Sequence, residues 1–316
     1  MADTPKVFER AESFIYRHAR PIDLARWQLH FEGGSQKAVL NALQHYQNPD
    51  GGFAHALEPD SWNPDSSPIQ TWQATEILLE IGFTDPSHPI VEGILRYLEY
   101  RQHFDGQVWL STIPSNDFFP HAPWWSYDVS DDLVPNYNPT VGLVGFAIRV
   151  VNTDSSLYNL VTRIAGHACD ALLDGRLPTD MHLLACFIRL LDALEEKGPI
   201  EEVDTDALRE KLQALVKASL EPTEPIEDED DLLAYWKSGY RAKPSQFFMS
   251  KNSAFYHPNR KLAASEVNYI LREQEKDGTW PVVWNWPNYP EAWAISRNWW
   301  ESHIVIQNLR YLQEME

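Results

Sequence analysis

The heptapeptide QNPDGGF (residues 47–53) ends a stretch with helical periodicity, and it returns almost unchanged as QEKDGTW (residues 274–280). In both copies an Asp-Gly pair can supply the positive-φ turn that ends a helix. A variant that is one residue longer, QHFDGQVW, covers residues 102–109. The glutamines at 47, 102 and 274 are 55 and 172 residues apart. These spacings predict a repeat of about 56 residues, which leaves room for five or six helical hairpins.

Apolar residues recur at spacings of three and four along most of the chain, which predicts about eleven or twelve helices and an all-α fold. Alternation typical of strands is nowhere sustained. Long connections at residues 48–68 and 103–138 alternate with short ones, and long loops of this kind usually carry the functional site. The predicted helices cover residues 7–18, 22–31, 36–47, 69–81, 89–102, 139–151, 157–173, 179–194, 205–220, 261–274 and 297–312, with a less regular stretch at 230–256.

The pattern QxxDGxW, with Phe replacing Trp in the first copy, resembles the QW motif of the squalene–hopene and oxidosqualene cyclase family. The resemblance implies an (α/α)6 toroid, here a single domain over residues 1–316. It also implies that each glutamine bonds neighbouring backbone, with the aromatic ring stacked on it. We therefore expect the motif residues to be structural braces: Gln47, Asp50, Gly51, Phe53, Gln274, Asp277, Gly278 and Trp280.

Protein prenyltransferase β-subunits also resemble such a ring, and they hold zinc with Asp, Cys and His. The two cysteines of this chain, Cys169 and Cys186, lie in apolar helical patterns without CxxC spacing. We expect both to be buried free thiols, and we predict no metal site. Nucleotide-binding strings such as G-x-G-x-x-G and Walker A do not occur in the sequence, so we predict no cofactor.

The formal net charge of −20 disfavours binding to nucleic acid, to anionic membrane surfaces and to bare phosphate groups. No run of about 18 apolar residues is present, so we expect no integral membrane segment. The first residues, MADTPKVFERAES, lack a basic segment followed by an apolar one. We therefore expect a cytoplasmic protein. The acidic stretch at 221–231 is interpreted as a solvated loop, because it lacks the spacing of an EF-hand.

Three segments rich in aromatic and acidic residues follow the motif copies, at 53–68, 118–139 and 280–303. Their aromatic side chains could fill gaps in a wide ring, or they could line a cavity for an apolar, cationic or sugar ligand. The candidate ligand-binding residues are His55, Trp62, His121, Trp124, Trp125, Tyr127, Tyr137, Trp284, Trp286, Trp293 and Trp300.

The leading hypothesis for function is a terpene-cyclase-like enzyme that acts on a polyprenyl or similarly apolar substrate. The resemblance implies protonation by an Asp in a DxDD motif, followed by carbocation chemistry along aromatic faces. The nearest string is DVSDD (residues 128–132), in which Asp131 would be the acid and Val129 replaces the first Asp. The chain is also about half as long as the two-barrel cyclases.

The alternative is a carbohydrate-active (α/α)6 hydrolase or lyase, since Trp platforms beside two carboxylates also bind and cleave glycans. A third possibility is a non-catalytic toroid that binds a ligand or a protein. Spacing along the chain does not set the distance between two loops, so several acids remain candidates. The candidate catalytic residues are Asp131, Asp132, Asp128, Glu58 and Asp60.

Overall fold

The computed structural model describes residues 4–128 and 136–315, and the regular secondary structure in these ranges is helical. Extended backbone there pairs only as isolated bridges. Within these ranges the prediction of an all-α fold with eleven or twelve helices is confirmed. The helices are α1 (Thr4–His18), α2 (Pro21–Phe31), α3 (Gln36–Gln44), α4 (Pro68–Glu80), α5 (Pro89–Glu99), α6 (Thr140–Val150), α7 (Ser156–Leu173), α8 (Met181–Lys197), α9 (Thr205–Leu220), α10 (Glu229–Lys237), α11 (Tyr256–Arg272) and α12 (Pro290–Met315).

Side-chain caps set the starts of several helices. Ser67 accepts a hydrogen bond from the backbone of α4, and Asp180 accepts two from the first turn of α8. The irregular stretch at 230–256 contains α10, which Asp228 caps in the same way. The acidic stretch therefore also begins a helix, whose N-terminal dipole favours negative charge. Helix α12 begins at Pro290, earlier than the apolar pattern predicted, because Pro is well suited to the first position of a helix.

The described part of the chain divides into two compact units. One unit comprises Met1–Ala42 and Leu215–Glu316, and the other is Leu43–Ala214. Within the second unit α6 packs against α4, α7 and α8, and within the first α12 packs against α1, α2 and α11. We call the unit made of Met1–Ala42 and Leu215–Glu316 the terminal unit, and the unit Leu43–Ala214 the central unit. The closed (α/α)6 ring and the single domain stay predictions.

Burial distinguishes α6 from α9. Every residue of α6 except Arg149 is buried, so this helix has neighbours on all faces. In α9 the buried positions form one stripe with a spacing of four residues, namely Leu208, Leu212, Val216 and Leu220. The mostly apolar sequence of α6 and the one-sided charge of α9 agree with these environments.

The first motif copy is a brace in the central unit. The side-chain amide of Gln47 donates to the carbonyl of Gly51 (2.9 Å) and to that of Ile90 in α5 (3.0 Å). Asp50 accepts from the backbone N–H of Gly52 (3.0 Å) and closes the turn. Phe53 is fully buried behind it. The motif thus ties the chain that leaves α3 to the first turn of α5.

The second copy repeats the same bonds in the terminal unit. Gln274 Nε2 donates to the carbonyl of Gly278 (3.0 Å) and to that of Val7 in α1 (2.9 Å). Asp277 accepts from the N–H of Thr279 (3.1 Å), and Trp280 is buried. The prediction that the glutamines bond neighbouring backbone is confirmed in both copies. At 102–109 the Asp-Gly turn is kept, but Gln102 is exposed.

Candidate functional site

Two long loops of the central unit pair with each other through their backbones. The N–H of Trp62 donates to the carbonyl of Pro120 (2.9 Å), and the N–H of Ala122 donates to the carbonyl of Asp60 (2.8 Å). These bonds flank an antiparallel bridge between Ser61 and His121. Side chains alternate between the two faces of extended backbone. Ser61 and His121 therefore project from the same face of the paired loops and Trp62 from the other, whereas Asp60 lies in the turn that the N–H of Ser61 closes by donating to the carbonyl of Glu58 (3.2 Å).

The two carboxyl groups of the first loop lie in the same turn. The N–H of Asp60 donates to Oε2 of Glu58 at 3.0 Å, so the Glu58 carboxylate folds back over the next residue but one. Glu58 is 5% exposed and Asp60 is 2% exposed. The structure thus places two of the predicted catalytic residues together, next to the predicted ligand-binding Trp62.

The two predicted histidines hold the loops in shape. His121 Nδ1 lies 2.7 Å from the carbonyl of Phe119, which can only accept, so Nδ1 carries the proton. Its Nε2 lies 3.0 Å from the hydroxyl of Ser126. His55 is exposed, has a positive φ of 62°, and contacts the Asn48 side chain at 3.0 Å. Both contacts are local, so we assign these histidines to loop structure.

The second loop presents its tryptophans differently. Trp124 is 46% exposed, whereas Trp125 is half-buried. Two hydrogen bonds from side-chain amides anchor this segment. Asn63 Nδ2 donates to Asn116 Oδ1 (2.9 Å), and Asn116 Nδ2 donates to the carbonyl of Trp125 (2.9 Å). The pairing of the two loops is thus reinforced by side chains, and Trp124 is left as an open aromatic surface.

The remaining predicted site residues of the second loop differ in their exposure. Tyr127 is half-buried and Asp128 is exposed. Tyr137 is buried, 6% exposed. Asp131 and Asp132 lie outside the described residues.

The third aromatic segment forms its own cluster in the terminal unit. Trp284 meets Trp300 edge to face, with ring centroids 5.3 Å apart, and Trp286 lies 5.6 Å from Trp293. Trp300 also contacts His303 at 5.6 Å. These four predicted tryptophans therefore pack in pairs within one unit.

The terminal unit also contains a buried charged cluster that the sequence analysis missed. Asp23 is fully buried and accepts from Arg20 Nε at 2.6 Å and from Arg26 Nη1 at 3.0 Å. Arg26 Nη1 also lies 3.4 Å from His303 Nδ1. Burial alone would raise the pKa of the Asp23 carboxyl, but the two guanidinium groups outweigh it and hold that pKa below its usual value. The sequence does contain a signal for this cluster, because Arg20, Asp23 and Arg26 follow one another at intervals of three residues and such residues are neighbours on a helix.

Replacing Asp23 by Asn should destabilise the protein by about 1.5–3 kcal/mol at pH 7, because two charged hydrogen bonds lose their anion. Since the folded pKa is lowered, this contribution is complete above the unfolded pKa near 3.8 and is lost as the pH falls below it. Urea unfolding of wild type and variant at pH 7 and at pH 3 measures it. We expect the difference in free energy of unfolding to narrow at pH 3. An equal difference at both pH values would contradict the assignment.

Within the described ranges, no helix combines the length and apolarity that crossing a bilayer requires. In the same ranges, no group of three or more His, Cys, Asp or Glu side chains is arranged to hold a metal ion. A scan against protein-family models and searches of curated proteins and of solved structures each found no match.

Proposed function

We propose that the paired loops of the central unit are the active site of a glycoside hydrolase that acts on neutral glycans. The observation that carries the proposal is the buried turn that holds both Glu58 and Asp60, two residues before Trp62 in the chain. Glycoside hydrolysis uses two carboxyl groups at the scissile bond, and aromatic faces bind sugar rings. Trp124, which is 46% exposed, offers an aromatic face on which a sugar ring could stack.

The charge of the two loops narrows the substrate. Residues 47–67 and 103–138 contain no lysine and no arginine, although they carry many carboxylates. A polyuronate or a diphosphate placed there would meet like charge, and neither loop supplies a lysine or an arginine to offset it. Elimination from a uronate also needs its carboxylate to be neutralised, so this charge pattern favours a hydrolase over a lyase.

The contacts suggest a role for each carboxyl group. The N–H that Asp60 donates to Glu58 stabilises the ionised form of the Glu58 carboxylate. Asp60 is then the general acid, which gives its proton to the glycosidic oxygen as the bond to the anomeric carbon breaks. Glu58 stabilises the positive charge on the sugar and takes a proton from the water that adds to that carbon. Each cleavage consumes one water and leaves a new reducing end.

The test is an assay for reducing ends on soluble polymers of different charge. Hydroxyethyl cellulose, a β-1,4-mannan, a β-1,4-xylan and an α-1,4-glucan serve as neutral substrates, and polygalacturonate serves as the acidic one. We expect cleavage of at least one neutral polymer and none of polygalacturonate. Binding without cleavage would support the non-catalytic toroid instead, and an absence of both would contradict the proposal.

The terpene-cyclase-like function stays a second proposal, supported by the two braces, which match the bonding implied by the QW resemblance. Its acid, Asp131, lies outside the described residues. The loops without cations suit an uncharged polyene better than a prenyl diphosphate. Conversion of squalene by wild type, and its loss in Asp131→Asn, would favour this function over glycan hydrolysis.

A further inference from the structure

Gln70 lies in the first turn of α4 and is fully buried beneath the turn that carries both carboxyl groups. Its side-chain Oε1 accepts from the backbone N–H of Glu58 at 2.7 Å. Its Nε2 donates to the carbonyl of Ser61, also at 2.7 Å. One amide thus holds the first and the last residue of the segment that contains Pro59 and Asp60.

Neighbouring residues at the start of α4 hold the backbone of Gln70 in place. Ser67 Oγ accepts from the N–H of Gln70 at 3.3 Å. Thr71 Oγ1 donates to the carbonyl of Ser67 (2.8 Å) and accepts from the N–H of Phe53 (3.1 Å). The first turn of α4 therefore forms hydrogen bonds with the loop backbone at Phe53 as well as at Glu58 and Ser61. Gln70 is attached to a rigid element, while its partners lie on a loop.

We propose that Gln70 is a positioning residue that sets the relative placement of the Glu58 and Asp60 carboxyl groups. The inference rests on the proposed hydrolase function. In the proposed reaction both carboxyl groups act at one glycosidic bond, so their relative placement governs the rate. Gln70 reaches only backbone atoms of the turn, and it acts through Glu58 and Asp60 without touching substrate.

The test compares Gln70→Met and Gln70→Glu with Gln73→Glu, a half-exposed glutamine three residues further along α4. Gln70→Met removes both bonds at similar volume, and we expect kcat to fall about 100-fold with KM within about twofold. Gln70→Glu keeps an acceptor for Glu58 but adds a third carboxylate, so the acidic limb of the pH–rate profile should move to higher pH. Gln73→Glu should leave kcat and the profile unchanged.

Amide hydrogen exchange gives a readout that does not need activity. In the wild type the Glu58 amide should exchange slowly, and in Gln70→Met it should exchange roughly tenfold faster or more, with the amides of α8 unaffected. Unchanged exchange at the Glu58 amide would overturn the claim that Gln70 holds this turn, whether or not any glycan is cleaved. Faster exchange with kcat and the pH profile unchanged would overturn the positioning role alone. If the wild type cleaves no glycan, the proposed function fails, and faster exchange then leaves Gln70 as a structural clamp only.

Discussion

Replacing Gly278 by alanine is expected to destabilise the protein strongly, by roughly 2–5 kcal/mol. Its φ is 101°, a backbone conformation that costs an L-residue about 1–2 kcal/mol. In addition, the new Cβ would overlap the carbonyl oxygen of Arg10 in α1, and overpacking against backbone costs about 1–3 kcal/mol. Gly51 has the same features, with φ 95° and the carbonyl oxygen of Gly93 in contact. Urea unfolding midpoints of Gly51→Ala and Gly278→Ala measure the effect.

The third motif copy supplies the matched control. Gly106 has φ 109°, but nothing lies within 4 Å of a Cβ added there. Gly106→Ala should therefore cost only the conformational part, about 1–2 kcal/mol. If all three variants lost the same stability, backbone strain alone would explain the motif, and the close approach between neighbouring helices would have no energetic role.

Replacing Asp60 by Asn is expected to lower kcat on a neutral glycan by about 10²–10⁴-fold, because an amide cannot donate the proton that the leaving oxygen requires. KM should change little, since the amide keeps the shape of the side chain. Initial rates of reducing-end release from the polymer that the wild type cleaves best give both constants.

Asp65→Asn is the control for that change, because Asp65 lies on the same loop and is exposed. It should retain the wild-type rate. More than a tenth of the wild-type kcat in Asp60→Asn would exclude Asp60 as the general acid, and an equal loss in Asp65→Asn would point to a general effect of loop charge.

The sequence predicted the helices and the two braces because both are local features. Helical periodicity is written within each segment, and the brace needs only Gln, Asp-Gly and a buried aromatic in a fixed order. The long loops are different, since residue spacing does not reveal which loop pairs with which. The pairing of Ser61 with His121 depends on backbone bonds between segments some sixty residues apart.

Two other features were hidden for physical reasons. Arg20, Asp23 and Arg26 look like the charged start of an ordinary surface helix, and only tertiary packing buries them. Gln70 looks like a neutral position in a helix, although its amide holds the loop above it. In both cases the role of the polar side chain depends on what packs over the helix, and periodicity carries no information about that.

The most direct measurement of the central claim is affinity electrophoresis of inactive protein through native gels that contain a neutral glycan. Asp60→Asn is compared with the double variant Asp60→Asn, Trp62→Ala, and polygalacturonate gels report binding to an acidic polymer. If a sugar ring stacks on Trp62 beside Glu58 and Asp60, a neutral glycan will retard Asp60→Asn and will retard the double variant much less, and polygalacturonate will retard neither. Equal mobility of the two proteins in every neutral gel would contradict the account.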